Sequence, residues 1–301
     1  MIIKLFKTLM IVTLCSATIG MVSCKKDSDG DDDNVPVGGF DSNGASNAVF
    51  SVADGRTVHF SRGNLQYQAS TKTWRFAEHQ WDYIGDANSN ISSSYTGWID
   101  LFGWGTSGYG TAVWITSQTD YYNTFYVTAT NSLTGAYAKA DWGVYNAISN
   151  GGNQAGMWRT LTYEEWCYLL SSRSSSTGMS IPRFAKATVN GIYGLILFPD
   201  NFMMPSGMSN PSNINTEDAS FQSNNYPASQ WSRMEDAGCI FLPAAGLREE
   251  TDVRYVGGGG CYWSSTAGYE YGADGVEFRH DNVSGIESDR YLGLSVRLVK
   301  D

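Results

Sequence analysis

The chain predicts an α+β fold with antiparallel strand pairing, and three observations carry that prediction. Residues 162–172 alone show a clear helical signature. Elsewhere short apolar runs bounded by turn residues recur, and the last of them alternates like a strand with one buried face. Only 17% of the 301 residues are charged, while 33 are Gly and 14% are aromatic. That balance excludes long charged helices and coiled coils. A hydrophobic content of 42% supports a sizeable core.

The N-terminus reads as an address. Lys4 and Lys7 precede a short apolar stretch, residues 9–19, too brief to span a bilayer. Residues 1–23 are therefore a signal peptide. The ending Met21-Val22-Ser23-Cys24 resembles a bacterial lipobox, which implies lipidation of Cys24 as the first mature residue. The alternative is an ordinary cleaved signal with an incidental cysteine. Acyl chains, at about 0.8 kcal/mol per buried CH₂, would hold the protein on a membrane, and no other run approaches spanning length. Residues 24–48 form a tether, beginning with the charged run Lys25-Lys26-Asp27-Ser28-Asp29-Gly30-Asp31-Asp32-Asp33. Its Asp spacing hints at a calcium loop. Gly30, however, takes the fourth place rather than the sixth, and Gly38 stands where the closing Glu belongs. A solvated tether is the reading, and no cofactor is expected. The acidic run resembles the surface-export signal of Bacteroidetes lipoproteins, which implies the outer face of the outer membrane.

Residues 49–301 read as one domain, without a second linker or a repeat. Val58-His59-Phe60 and Leu65-Gln66-Tyr67-Gln68 predict a hairpin across Arg62-Gly63-Asn64, and Trp74-Arg75-Phe76 a short strand. Residues 84–135 predict long ordered loops pinned by Trp98, Phe102, Trp104 and Trp114. A short helix is expected over 141–149, with Trp142, Tyr145 and Ile148 on one side. The helix at 162–172 opens on a capping box of Thr162 and Glu165, followed by Trp166, Leu169 and Leu170 on one face. Apolar runs at 193–198 and 239–242 predict strands, as do 261–264, 275–279 and 292–299. In the last, Leu292, Leu294, Val296 and Leu298 alternate with Gly293, Ser295, Arg297 and Val299.

Several motifs promise chemistry and stop short of it. Gly103-Trp104-Gly105-Thr106-Ser107-Gly108 matches a dinucleotide fingerprint literally, but no buried strand precedes it and no helix follows. Gly257 to Gly260 lacks the Lys-Ser/Thr of a phosphate loop. His59, His79 and His280 have no partners at metal-ligand spacing, and no nucleophile elbow accompanies them. Glu164 and Glu165 are better explained by capping than as paired acids. A net charge of −10, which becomes more negative once residues 1–23 are removed, argues against nucleic-acid partners. Of five cysteines, Cys167, Cys239 and Cys261 remain after the signal and the lipidated Cys24, so at most one disulfide can form.

The C-terminal quarter is the candidate binding region. Tyr269 and Tyr271 fall in a polar, Gly-rich stretch where no core periodicity demands them. Asp274, Arg279, His280, Asp281, Asn282, Glu287, Asp289 and Tyr291 follow, so one segment is dense in stacking and hydrogen-bonding groups.

Trp158-Arg159-Thr160-Leu161-Thr162-Tyr163-Glu164-Glu165-Trp166 resembles the strand-to-helix signature of formylglycine-generating-enzyme-like domains, a branch of the C-type lectin fold. Gly194-Leu195-Ile196-Leu197-Phe198-Pro199-Asp200, Phe241-Leu242-Pro243-Ala244-Ala245-Gly246, Tyr262-Trp263-Ser264-Ser265 and Gly293-Leu294-Ser295-Val296-Arg297-Leu298-Val299 are similar to the major paralogous domain of Fibrobacter, common in Bacteroidetes. The resemblance covers residues 50–301. It implies two main helices packed on small antiparallel sheets, with long loops carrying the binding surface. The enzyme of that superfamily holds copper on two closely spaced cysteines; Cys239 and Cys261 are far apart, so no enzymatic activity is expected. Lectin-fold proteins diversified by retroelements carry their variable segment between strands like those at 262–265 and 293–299, the place of residues 267–291. Tyr, Asp, Arg, His, Asn, Ser and Gly are reachable by randomising asparagine codons; Glu270, Glu277 and Glu287 are not and would have to be fixed. The resemblance implies a non-enzymatic surface lipoprotein, adhesin- or receptor-like, that binds a glycan or protein of another cell, phage or host. A structural component of a fimbria or surface layer is the alternative, and a relative of the formylglycine-generating oxidase is a further one.

Overall fold

The computed structural model describes residues 38–115, 117–124, 131–175, 178 and 180–301. The signal, Cys24 and the acidic run lie outside the described residues. Ordered backbone begins earlier than residue 49: Gly39 N–H donates to the Glu235 carbonyl, and Ser46 N–H to that of Phe60.

Strands dominate. In chain order come β1 (Phe50–Ala53), β2 (Arg56–Phe60), β3 (Leu65–Gln68), β4 (Thr73–Phe76), β5 (Trp98–Ile99) and β6 (Arg159–Thr160). β7 (Phe184–Val189), β8 (Ile192–Leu197), β9 (Asn225–Tyr226), β10 (Ile240–Pro243), β11 (Leu247–Glu249) and β12 (Asp252–Arg254) follow. The chain ends with β13 (Gly259–Ala267), β14 (Gly272–Arg279), β15 (Asn282–Asp289) and β16 (Leu298–Lys300). The helices are α1 (Gln118–Thr124), α2 (Trp142–Tyr145), α3 (Tyr163–Cys167) and α4 (Ala228–Asp236), none longer than nine residues among the described ones. They form no pair of main helices packed on the sheets. The α+β, C-type lectin-like architecture expected from sequence is therefore corrected to a strand-rich body of small, mostly antiparallel sheets with short helices.

Local physics explains the shortfall in helix. The Thr162–Glu165 capping box is present in both directions. After Cys167 the helix widens into a π turn over Tyr168–Ser172 and stops before Arg173, whose side chain is drawn inward to Asp200 and the Phe198 carbonyl. Asp141 caps α2 by accepting from Gly143 N–H, but that helix ends after Tyr145. The predicted β2–β3 hairpin is also replaced. β2 pairs with β1 and β16, whereas β3 pairs with β4 and β5.

Among the described residues, five sheets surround three apolar cores: β1-β2-β16-β6, β10-β8-β7-β9, β13-β14-β15, β4-β3-β5 and β11-β12. β8 and β10 are continuous apolar runs because both faces are covered. Leu195, Leu197, Ile240 and Leu242 face the core that holds Phe60 and Trp166, while Ile196 and Phe241 face the one built on Trp231 and Met234. The final segment departs from its expected half-polar pattern. Leu294, Val296 and Leu298 enter the Trp104–Trp142–Trp158 core, and Ser295 and Arg297 on the other side are buried as well. Only Leu298–Lys300 is regular strand; single bridges tie Gly293, Leu294 and Ser295 to Arg248, Phe102 and Tyr262.

Candidate binding surfaces

Residues 267–291, read from sequence as short strands and loops, fold into the sheet β13-β14-β15. Gly272 pairs with Asp289, Asp274 with Glu287, and Arg279 with Asn282. The ten predicted site residues therefore divide between the two ends of one ladder. Seven residue steps along β14 separate those ends by about 23 Å, so no single small ligand touches both.

The first end is the turn between β13 and β14. Tyr269 is 86% exposed and Tyr271 54%. Gly272 N–H donates to the Tyr269 carbonyl at 2.7 Å, and Tyr269 N–H to Glu287 Oε1 at 2.6 Å. A Cβ at Gly268 or Gly272 would strike the Glu287 carboxylate, so glycine lets that brace close. Beneath the turn, buried Arg290 donates its Nε–H to the Gly272 carbonyl and lies over the Trp104 ring. Asp274 is half-buried; burial raises its pKa, and the carboxylates of Glu287 and Glu164 add to the shift. Asp289 is exposed at the end of β15. Tyr291 is half-buried, its hydroxyl pKa raised by burial and then by Asp289, Glu249 and Glu250.

At the opposite end, His280 and Asp281 form an exposed turn. The buried Lys186 ammonium anchors it by donating to the His280 carbonyl at 2.9 Å and also to the Glu217 carbonyl. Arg279 and Asn282 are committed internally. Arg279 pairs with Glu277 at 3.0 Å and covers the Tyr255 ring at 4.9 Å, while Asn282 donates to Glu277 Oε1 and Ser284 Oγ. Glu277 and Glu287, two of the three glutamates in the segment, thus hold the hairpin's own frame.

A second surface escaped the sequence reading. Tyr67 and Trp74, side by side on β3 and β4 with ring centroids 4.4 Å apart, form the floor of a cleft of about 320 Å³. Trp114, Tyr145 and Asn146 line it too, with Lys72 from the β3–β4 turn at φ 54°. Tyr145 is 40% exposed and continues outward to Tyr109, whose ring centroid lies 5.2 Å away. The Lys139 ammonium sits 5.1 Å from the Tyr109 ring. The aromatic richness of residues 84–135 was the available signal. The sequence predicts loop anchoring there, which Trp104 performs by donating its indole N–H to the Ser264 carbonyl.

The remaining motifs are structural. Gly103 to Ser107 form a buried loop, with Gly108 exposed at its end, in which Trp104 N–H donates to the Arg290 carbonyl. His59 contacts the Ser46 carbonyl through Nδ1, and His79 stacks on Trp81 beside Asp82. Cys167, Cys239 and Cys261 are free thiols, and burial pushes Cys261 up to about 12. Among the described residues, no cluster of three His, Cys, Asp or Glu side chains could hold a metal, and no helix is long and apolar enough to cross a membrane. Comparison with protein-family models, curated proteins and solved structures finds no match.

Proposed function

We propose that this chain is a lipoprotein anchored through Cys24 in the outer membrane and exposed at the cell surface, where it binds a glycan or protein ligand without catalysis. The observation that carries this reading is the β13–β14 turn, which holds Tyr269 out in water on a backbone braced by Glu287. A tyrosine has two side-chain torsions, so fixing it against a partner costs little entropy for the area it covers. Glu277 and Glu287 support the idea of a diversified segment, since two of the three positions that codon randomisation could not produce hold the frame. The test is glycan and protein array binding by the mature, full-length chain and by the double variant Tyr269→Ala/Tyr271→Ala. Loss of the wild-type signal in the variant is expected. Equal binding by both would remove the turn from the function.

One observation favours assembly into a fimbria or surface layer instead. β15 pairs only with β14, so its outer edge is open over eight residues among the described ones. Assembly predicts concentration-dependent polymers in sedimentation velocity, and a receptor predicts monomers.

A further inference from the structure

Within the aromatic cleft, hydrogen-bonding groups are left without protein partners. Tyr67 and Trp74 are more than nine-tenths buried, yet the Tyr67 hydroxyl and the Trp74 indole N–H make no hydrogen bond among the described residues. Neither atom is sealed from solvent. The Trp114 indole N–H and the Lys72 ammonium are likewise unpaired. Buried polar groups are normally satisfied, so donors on two floor residues and two rim residues of one cleft describe a ligand rich in acceptors. Asn146 adds an acceptor. Its Nδ2 is committed to the carbonyls of Ser107 and Trp142, which leaves its Oδ1 to accept from a hydroxyl. Flat rings on the floor and wall favour a partner with an apolar face. Charge then narrows the class. In a chain with 30 acidic and 20 basic residues, the lining carries Lys72 and no carboxylate.

We propose that this cleft binds a sugar ring bearing a carboxylate, a uronic-acid unit of an acidic glycan. The ring's C–H face lies on Trp114 and Tyr145, its hydroxyls accept from the Trp74 and Tyr67 donors, and its carboxylate meets Lys72. This is a second site on the molecule. It depends neither on the Tyr269 turn nor on the lipid anchor.

The experiment titrates the purified mature chain with a short glucuronate-containing oligosaccharide and, separately, with its carboxyl-reduced neutral counterpart. Tryptophan fluorescence and calorimetry are the readouts. Saturable quenching by the acidic probe is expected, with affinity at least about tenfold weaker for the neutral one. Lys72→Met should erase that preference while the neutral probe binds as before, and Tyr145→Ala should weaken both probes about tenfold. Both positions are exposed, so neither change threatens folding, and matching thermal melts check this. Tyr269→Ala/Tyr271→Ala should leave cleft binding unchanged, which separates this site from the turn. Equal affinity for the two probes, no binding of either, or an unaltered preference in Lys72→Met would each overturn the proposal.

Discussion

Residues 267–291 and residues 293–299 are separated by one residue in the chain and both carry arginine, yet Arg279 and Arg297 meet opposite fates. Arg279 belongs to the first. Its side chain is 39% exposed, pairs with Glu277 and covers the Tyr255 ring at the edge of the molecule. Arg297 belongs to the second and is 1% exposed. Its guanidinium donates to Gln80 Oε1 at 2.9 Å and to the Phe241 carbonyl at 3.3 Å, with Asn64 Oδ1 at 3.5 Å. Gln80 Oε1 also accepts from Phe241 N–H, and Asn64 donates to the Tyr262 hydroxyl, so the arginine completes a polar seam between strands. Burial lowers the Arg297 pKa to about 10, which leaves it charged at neutral pH. What separates the two arginines is what covers their strands. The last segment lies between two apolar cores and must find acceptors inside, whereas β15 leaves β14 close to water.

Three measurements test that contrast. The largest effect is expected from Arg297→Ala, which removes the donor to Gln80 Oε1, the Phe241 carbonyl and Asn64 Oδ1 and leaves a cavity, for a loss of about 3–5 kcal/mol. Urea unfolding checks it, and a loss under about 1 kcal/mol would mean that the seam contributes no net stability.

Next in size is a pH effect from two buried acids. Burial raises Asp100 and Asp141 to about 6, against hydrogen bonds from Asn88 and Ile84 in one case and from Thr160 and Gly143 in the other. The folded state then holds these protons more tightly than the unfolded chain, whose carboxyls keep the ordinary value of 3.8. The stability this contributes is complete below about pH 4 and lost as pH rises through about 6. Asp301, held below its ordinary value by Arg159, works in the opposite sense and at lower pH. Melting temperatures of Asp100→Asn and Asp141→Asn between pH 4 and 7 should vary less with pH than those of the parent. Parallel curves would show that neither acid titrates in this window.

The smallest effect belongs to Arg279→Ala. A partly exposed pair such as Arg279–Glu277 contributes about 0.2–1 kcal/mol, and less at high salt. A loss as large as that of Arg297→Ala, in the same urea titration, would erase the distinction between the two regions.

Local signals were legible where they were complete. The capping box at Thr162 and Glu165 formed because both partners lie within one turn. The runs at β8 and β10 are strands because an apolar stretch of that length has two faces to bury. α4 was missed. Trp231 and Met234 are its only buried residues, too few to mark a period, and its N-cap, Pro227, makes no side-chain bond. β7 and β15 carry no clear strand signal either. β7 lies inside yet includes Lys186 and Thr188, whereas β15 is an edge strand whose Ser, Gly and Glu face water and need no alternation. At the candidate surfaces, the density of tyrosines and charges near residue 270 could be read directly. The division of that set between two ends of a ladder could not, and neither could the meeting of Tyr67 and Trp74 with Trp114 and Tyr145.

By itself the order of residues determined the acidic balance, the capped helix start, the β8 and β10 runs and the aromatic supply, all of which depend on near neighbours or on totals. Tertiary structure decided that strand prevails over helix, that Arg297 and Lys186 face inward, and that the cleft floor comes from two strands of one hairpin. The reason is that burial is not a local property: whether a polar group meets water depends on segments more than two hundred residues away, as Gln80 and Arg297 are.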